Sequence, residues 1–199
     1  RLEKLAAKAK LDGRLPTGPQ DLTVVDANLA ANKSSTDVSG VVERKLTVAP
    51  DGSVSGELAI TRTHSGASSS DTNGNYTREF LPKGAEVSGL DGWYDLTPPN
   101  VSTEGDYAVV GGWTDVAPGE SRTVRFTFRL PKNVDLRTGT LPVGFWRQPG
   151  SSVSLKTEIT LPDGYRWEGQ PGAVVTGNVI SFEEPVKSDI LHQLTFRNR

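Results

Sequence analysis

Residues 121–131 read "SRTVRFTFRLP" and alternate without a break. Val124, Phe126, Phe128 and Leu130 share one parity, and Arg125, Thr127 and Arg129 share the other. Successive side chains of an extended chain point to opposite faces. This stretch is therefore a strand with one face in a core and the other in water, whereas a helix would scatter the same residues around its axis. The period recurs in "SVSLKTEITLP", where Val153, Leu155, Ile159 and Leu161 face inward and Lys156, Glu158 and Thr160 outward. It recurs again in "VVERKLTV" and "SGELAITRTHS", with Leu46, Val48, Leu58 and Ile60 on the inner face.

Turn chemistry separates these runs. "PDG" occurs at residues 50–52 and 162–164, and "APGE" at 117–120. The 21 Gly and 13 Pro of the 199 residues make about 17%, against an average of roughly 12%. Short strands at regular spacing with turns between them predict an all-β chain. Residues 1–10, "RLEKLAAKAK", break this rule: Leu2, Leu5, Ala6 and Ala9 follow helical spacing. The predicted organisation is a helical stub and linker over 1–20, a first sandwich over 21–135 and a second sandwich-like unit over 136–199. Both units are small β-sandwiches of immunoglobulin-like layout. "KNVDLRTGT" interrupts the pattern between them, and Phe145 and Trp146 are expected at their junction.

Several chemistries are closed or weak. There is no Cys, so there are no disulfides, thiolate metal sites or thiol nucleophiles. A formal net charge of −2 gives no electrostatic footprint for nucleic acid. No window approaches the roughly 20 apolar residues of a membrane helix. The two His, His64 and His192, stand in no nucleophile motif, and His192 shares the parity of Ile190, Leu194 and Phe196. It reads as a half-buried, hydrogen-bonded His. The acid pairs Glu183 with Glu184, Asp115 with Glu120 and Asp91 with Asp95 read as surface neighbours. No catalytic residue, cofactor or metal is expected. "DTNGN" sets Asp71, Asn73 and Asn75 at alternate positions like the start of a calcium loop. Tyr76 and Pro82 stand where such a loop needs Gly and Glu, so the segment reads as a solvated loop. Sequons at Asn32, Asn75 and Asn100 carry little weight.

Two features remain as binding candidates. "DGWYD" and "GGWTD" place Trp93, Tyr94 and Trp113 beside Gly and Asp, where exposed rings would stack on sugars; the plainer reading has them cap a core. "DANLAANKSSTD", residues 26–37, holds Asn32, Lys33 and Ser34 in a small, amide-rich run. Such residues bond nearby backbone and favour turns. The plain reading is a structured connection, and the sharper one is a polar site with Lys33 facing an anion.

In order, "DLTVVDANLAANKSSTD", "DGSVSGELAITRTHS", "YTREFLPKGAEV", "GGWTDVAPGESRTVRFTFRLP" and "WRQPG" resemble the β-rich C-terminal part of the bacterial domain-of-unknown-function family 4012. The likeness covers most of residues 21–162. It implies a bacterial envelope protein anchored in the membrane through an upstream segment, with this region outside the cell. It implies no known activity or ligand, and the Asn-Lys-Ser segment is its most family-like position. The expected function is a non-enzymatic extracellular structural or interaction module, whose partner is a protein or polysaccharide of the envelope. The fragment itself is expected to contact neither nucleic acid nor membrane. The alternatives are a carbohydrate-binding module using Trp93, Tyr94 and Trp113, and an assembly subunit that pairs through edge strands such as the last one, "DILHQLTFRNR".

Overall fold

The computed structural model describes residues 2, 4, 5, 18, 21–30, 32–67 and 71–198. Most of the predicted helical stub and linker therefore lies outside the described residues. From Leu22 onward strands dominate the chain. They are β1 (Leu22–Asn28), β2 (Val38–Val48), β3 (Val54–His64), β4 (Asn73–Pro82), β5 (Glu86–Asp91), β6 (Asn100–Glu104), β7 (Tyr107–Val116) and β8 (Ser121–Arg129). They continue as β9 (Thr140–Trp146), β10 (Val153–Thr160), β11 (Tyr165–Trp167), β12 (Ala173–Thr176), β13 (Val179–Pro185) and β14 (Ile190–Asn198). One 3-10 turn, Ser34–Asp37, joins β1 to β2.

The strands form two sheets of seven, ordered β11-β14-β9-β1-β4-β7-β6 and β12-β13-β10-β2-β3-β8-β5. Their inner faces pack through one apolar cluster, which includes Val42, Leu58, Phe126, Leu141, Leu155, Ile159, Ile180 and Leu194. The alternation in β8 is realised as expected, with Val124, Phe126 and Phe128 buried and Arg125, Thr127 and Arg129 on the outer side. The first "PDG" closes the β2–β3 hairpin, where the Ala49 N–H donates to the Ser53 carbonyl at 2.8 Å. Gly52 sits there at φ +80°, and a Cβ on it would lie 2.2 Å from the Val134 carbonyl oxygen, so only Gly fits.

The expected division near residue 135 falls inside both sheets. Residues 136–199 add three strands to the end of each. At the junction β10 runs parallel to β2 over eight paired positions, from Val153↔Gly40 to Thr160↔Thr47. In the other sheet β9 runs parallel to β1 through Leu22↔Phe145 and Thr23↔Trp146. The halves thus meet through backbone hydrogen bonds within each sheet as well as through the shared apolar core. Phe145 is buried at this seam, while Trp146 is half-buried with its indole N–H directed to Asp21 Oδ2 at 3.4 Å. The last strand, β14, is not an edge, because it pairs with β9 and with β11. The sheet edges are β5, β6, β11 and β12.

The seam also buries Arg44, one of the inward residues of β2. One guanidinium nitrogen donates to the Gly144 carbonyl at 2.8 Å and another to Thr157 Oγ1 at 3.2 Å. Burial pulls its pKa down to about 10, against the pull of Asp21 and Glu184.

Candidate functional site

Three strands carry the same anomaly at the same end of the molecule. The inward row of β1 runs Leu22, Val24, Asp26, Asn28, from buried to half-buried. The inward row of the antiparallel β4 runs Leu81, Glu79, Thr77, Asn75, Asn73, and all five are buried. In the facing sheet β3 runs Leu58, Ile60, Arg62, His64, and all four are buried. Register places Asn28 beside Asn75, Asp26 beside Thr77 and Val24 beside Glu79. Each strand thus begins as an apolar core strand and turns polar toward one common end. Buried polar groups cost free energy unless they are paired, so three such rows in one place call for a partner or a ligand.

Much of the pairing is internal. Arg62, with its side chain 3% exposed, spans the gap between the sheets to the Asp26 carboxylate. Gln148 clamps the other side of Asp26: its Oε1 accepts from the Asp26 N–H and its Nε2 donates to the Asp26 carbonyl, both at 2.8 Å. Ser152 holds the start of β2 by accepting from the Gly40 N–H at 2.8 Å. Asn28 Nδ2 donates to Asn32 Oδ1 at 2.8 Å, and Asn73 Nδ2 donates to Ser34 Oγ at 3.0 Å. These groups enclose a pocket of about 200 Å³, open to solvent, whose lining includes Asp26, Arg62, Asn73, Asn75, Ser39 and Ser152.

Three groups stand out by what they lack, the first being Arg62, whose buried Nε has no hydrogen-bond partner although a terminal nitrogen meets Asp26. Asn75 is 4% exposed overall, and its side-chain amide makes no hydrogen bond to another described residue but reaches the open pocket rather than being sealed from it. Glu79 continues the inward row of β4 past Asn75 and Thr77, lies outside the pocket lining and is fully buried; neither carboxylate oxygen has a well-formed hydrogen bond, and only the Thr77 hydroxyl and its own N–H lie close enough to act on it weakly. Burial raises its pKa to about 8; Arg62 opposes the rise and Asp26 adds to it. At neutral pH Glu79 is therefore mostly protonated. The Asp26–Arg62 pair cancels, which leaves the pocket close to neutral overall.

The amide-rich segment is a wall of this pocket. Ser34 is buried, and Asn32 ties the wall to β4 by donating to the Thr72 carbonyl at 3.0 Å. Lys33 is exposed and does not line the pocket, whereas Ser35 does. The expected solvated loop at "DTNGN" is corrected in part: Asn73 and Asn75 lie within β4 and face inward, and the alternation that mimicked calcium ligands is strand parity. The Asn75 sequon is buried with them. Among the described residues, no three of His, Asp and Glu stand together as a metal site requires.

The aromatic candidates meet at another corner, where the Tyr94 N–H donates to the Trp113 carbonyl at 3.1 Å. Trp93 is 4% exposed and packs on Phe126, with its indole N–H directed to Thr77 Oγ1 at 3.4 Å. It offers no free face to a sugar, because a Cβ on Gly112 would already lie 2.3 Å from its Cδ1. Tyr94 and Trp113 are half-buried; the Tyr94 hydroxyl is committed to Asp115, and Trp113 meets Tyr76 edge-on at 5.3 Å. The plainer reading of these rings, as caps on a core, describes Trp93.

Both His are internally satisfied. His64 Nδ1 accepts from the Gly66 N–H and Nε2 reaches the Asp71 carbonyl, each at 3.0 Å. His192 is half-buried, hydrogen-bonded to Glu184 at 2.6 Å and stacked on Phe182.

No family model matches this sequence, and no curated protein matches it. Its fold is similar to that of a nutrient-binding candidate from Legionella pneumophila, at a TM-score of 0.51 and 9% identity, over 88% of this chain and 70% of that one. Looser likenesses link it to leukotriene A4 hydrolase from Saccharomyces cerevisiae (TM-score 0.47, 12% identity, 85% of this chain and 31% of that one). Another is to an M1 zinc metallopeptidase from Deinococcus radiodurans (TM-score 0.40, 13% identity, 80% and 42%). The chain spans less than half the length of either peptidase. At such identities the Legionella likeness speaks of fold alone, and the two peptidase likenesses bear no weight for chemistry.

Proposed function

We propose that this chain is a non-enzymatic, extracellular interaction module of a membrane-anchored bacterial envelope protein, and that the pocket between β1, β3 and β4 is its binding site. In this reading the two packed sheets form a β-sandwich of immunoglobulin-like layering, reached from an upstream anchored region through the helical stub. The envelope setting rests on the resemblance to family 4012. The site rests on one observation: polar rows from both sheets converge on a pocket where continued alternation would have placed apolar core. Convergent polar groups in a concavity are the usual mark of a small-ligand site.

The binding reading is favoured over a plain spacer because the Asn75 amide lines the pocket with no hydrogen bond to another described residue. Carbohydrate remains the second reading, now seated in the pocket rather than on Trp93, Tyr94 and Trp113. Assembly through edge strands falls to β5, β6, β11 and β12.

The test is co-sedimentation of the purified chain with bacterial sacculi and extracted envelope polysaccharide, beside Ser152→Trp. Ser152 is exposed on the pocket lining, so an indole there fills the mouth without entering the core. Saturable binding lost in the variant is the expected result. Equal binding by both proteins places the partner elsewhere on the surface.

A further inference from the structure

The pocket's own chemistry narrows what it takes. We infer that its ligand is an uncharged, polyhydroxylated ring, a single pyranose at the end of a neutral glycan, held chiefly by the Asn75 amide. This rests on the reading of the pocket as a binding site.

Three observations carry the inference. The first is charge. Arg62 and Asp26 neutralise one another, so an anionic ligand meets the Asp26 carboxylate and a cationic one meets the Arg62 guanidinium. A charged ligand meets one member of that pair and is repelled by the other: an anion drawn to the unpaired Arg62 Nε also faces the Asp26 carboxylate. The raised pKa of Glu79 keeps a further charge out of the neighbourhood at neutral pH.

The second is the kind of group left free. Asn75 offers a donor and an acceptor side by side with no described partner, and the hydroxyls of Ser39 and Ser152 reach the same space without a hydrogen bond to another described residue. Amides and hydroxyls both donate and accept, as each sugar hydroxyl does. An ionised carboxylate group only accepts, and one set against Asn75 would leave its carbonyl unmet.

The third is size and surface. About 200 Å³ suits one sugar ring and little more. Val38 and Val153 line it, but no aromatic side chain does. Flat apolar ligands that bind by stacking have no platform here.

The experiment is an NMR titration of the chain and of Asn75→Ala and Ser152→Trp with four probes: neutral methyl pyranosides, methyl glucuronide, glucosamine and glycine. The expected result is saturable binding of at least one neutral pyranoside, with shifts in the Asn75 side-chain amide. Loss of the donor and acceptor on Asn75 weakens this by about tenfold to thirtyfold, and Ser152→Trp abolishes it. Preferential binding of the glucuronide, the amino sugar or glycine at these resonances would overturn the neutral-ring inference while leaving the pocket as a site. Absence of any saturable shift around the pocket, with all probes, overturns both. If Asn75→Ala fails to fold, Ser152→Trp carries the same comparison from the solvent side.

Discussion

Replacing Glu79 by Gln should make the protein more stable, and increasingly so as pH rises. In the unfolded chain this carboxyl ionises near its ordinary value of 4.5, while in the fold it does so at about 8. Below pH 4.5 both states hold the proton and ionisation of the group contributes no loss. Between 4.5 and 8 the folded state holds one proton more than the unfolded state, so stability falls as pH rises. The loss approaches 1.36 kcal/mol per pH unit, or up to about 5 kcal/mol by pH 8, and is flat beyond. Gln has nearly the shape of the protonated acid and does not titrate, so it escapes this loss. The assay is urea unfolding of both proteins at a series of pH values from 4 to about 9. Their difference cancels the other titrating groups. The variant should gain on the parent steadily from pH 4.5 to 8, then hold level. A difference that stays flat across that range would refute the reasoning. It would mean that Glu79 is ionised in the fold and paired with Arg62, in spite of its burial.

The same cluster makes a second prediction. Asp26→Asn removes the partner of a buried Arg62 and should cost about 3–5 kcal/mol near pH 5. The cost should shrink toward pH 8, because Glu79 then ionises more readily and takes Asp26's place; unfolding curves at the two pH values check this. Trp93→Ala should cost about 3–5 kcal/mol as a core deletion, seen as a lower urea midpoint, while leaving sacculus binding at saturation unchanged. Loss of that binding with the fold intact would return Trp93 to the site.

Alternation was enough to read most of the strands. β2, β3, β8 and β10 follow from period-two rows of Val, Leu, Ile and Phe, and the first hairpin from "PDG" with its left-handed Gly52. These are local matters of pleat and turn, and local residues settle them. Part of the site was also present in the rows. Asp26 and Asn28 continue the parity of Leu22 and Val24, Arg62 and His64 that of Leu58 and Ile60, and Asn73 and Asn75 that of Leu81. Each row taken alone reads as a strand fraying into a polar loop, and "DTNGN" read that way for want of an apolar residue to mark its inward face.

Which rows meet depends on pairing and layering. Antiparallel register sets Asn28 against Asn75, and the stacking of the two sheets brings Arg62 to Asp26 across the gap. Those contacts join residues 36 to 122 positions apart in the chain, as Arg62 with Asp26 and Gln148 with Asp26 do. No period in the sequence reports such distances. The sequence by itself determined strands, turns and the sides on which their residues stand, because side-chain parity is a property of the extended backbone. Only the tertiary structure decided that the polar ends of three strands face one another, that Glu79 is sealed behind them and that Trp93 is sealed in the core. Burial is set by what packs on top of a residue, and that comes from elsewhere in the chain.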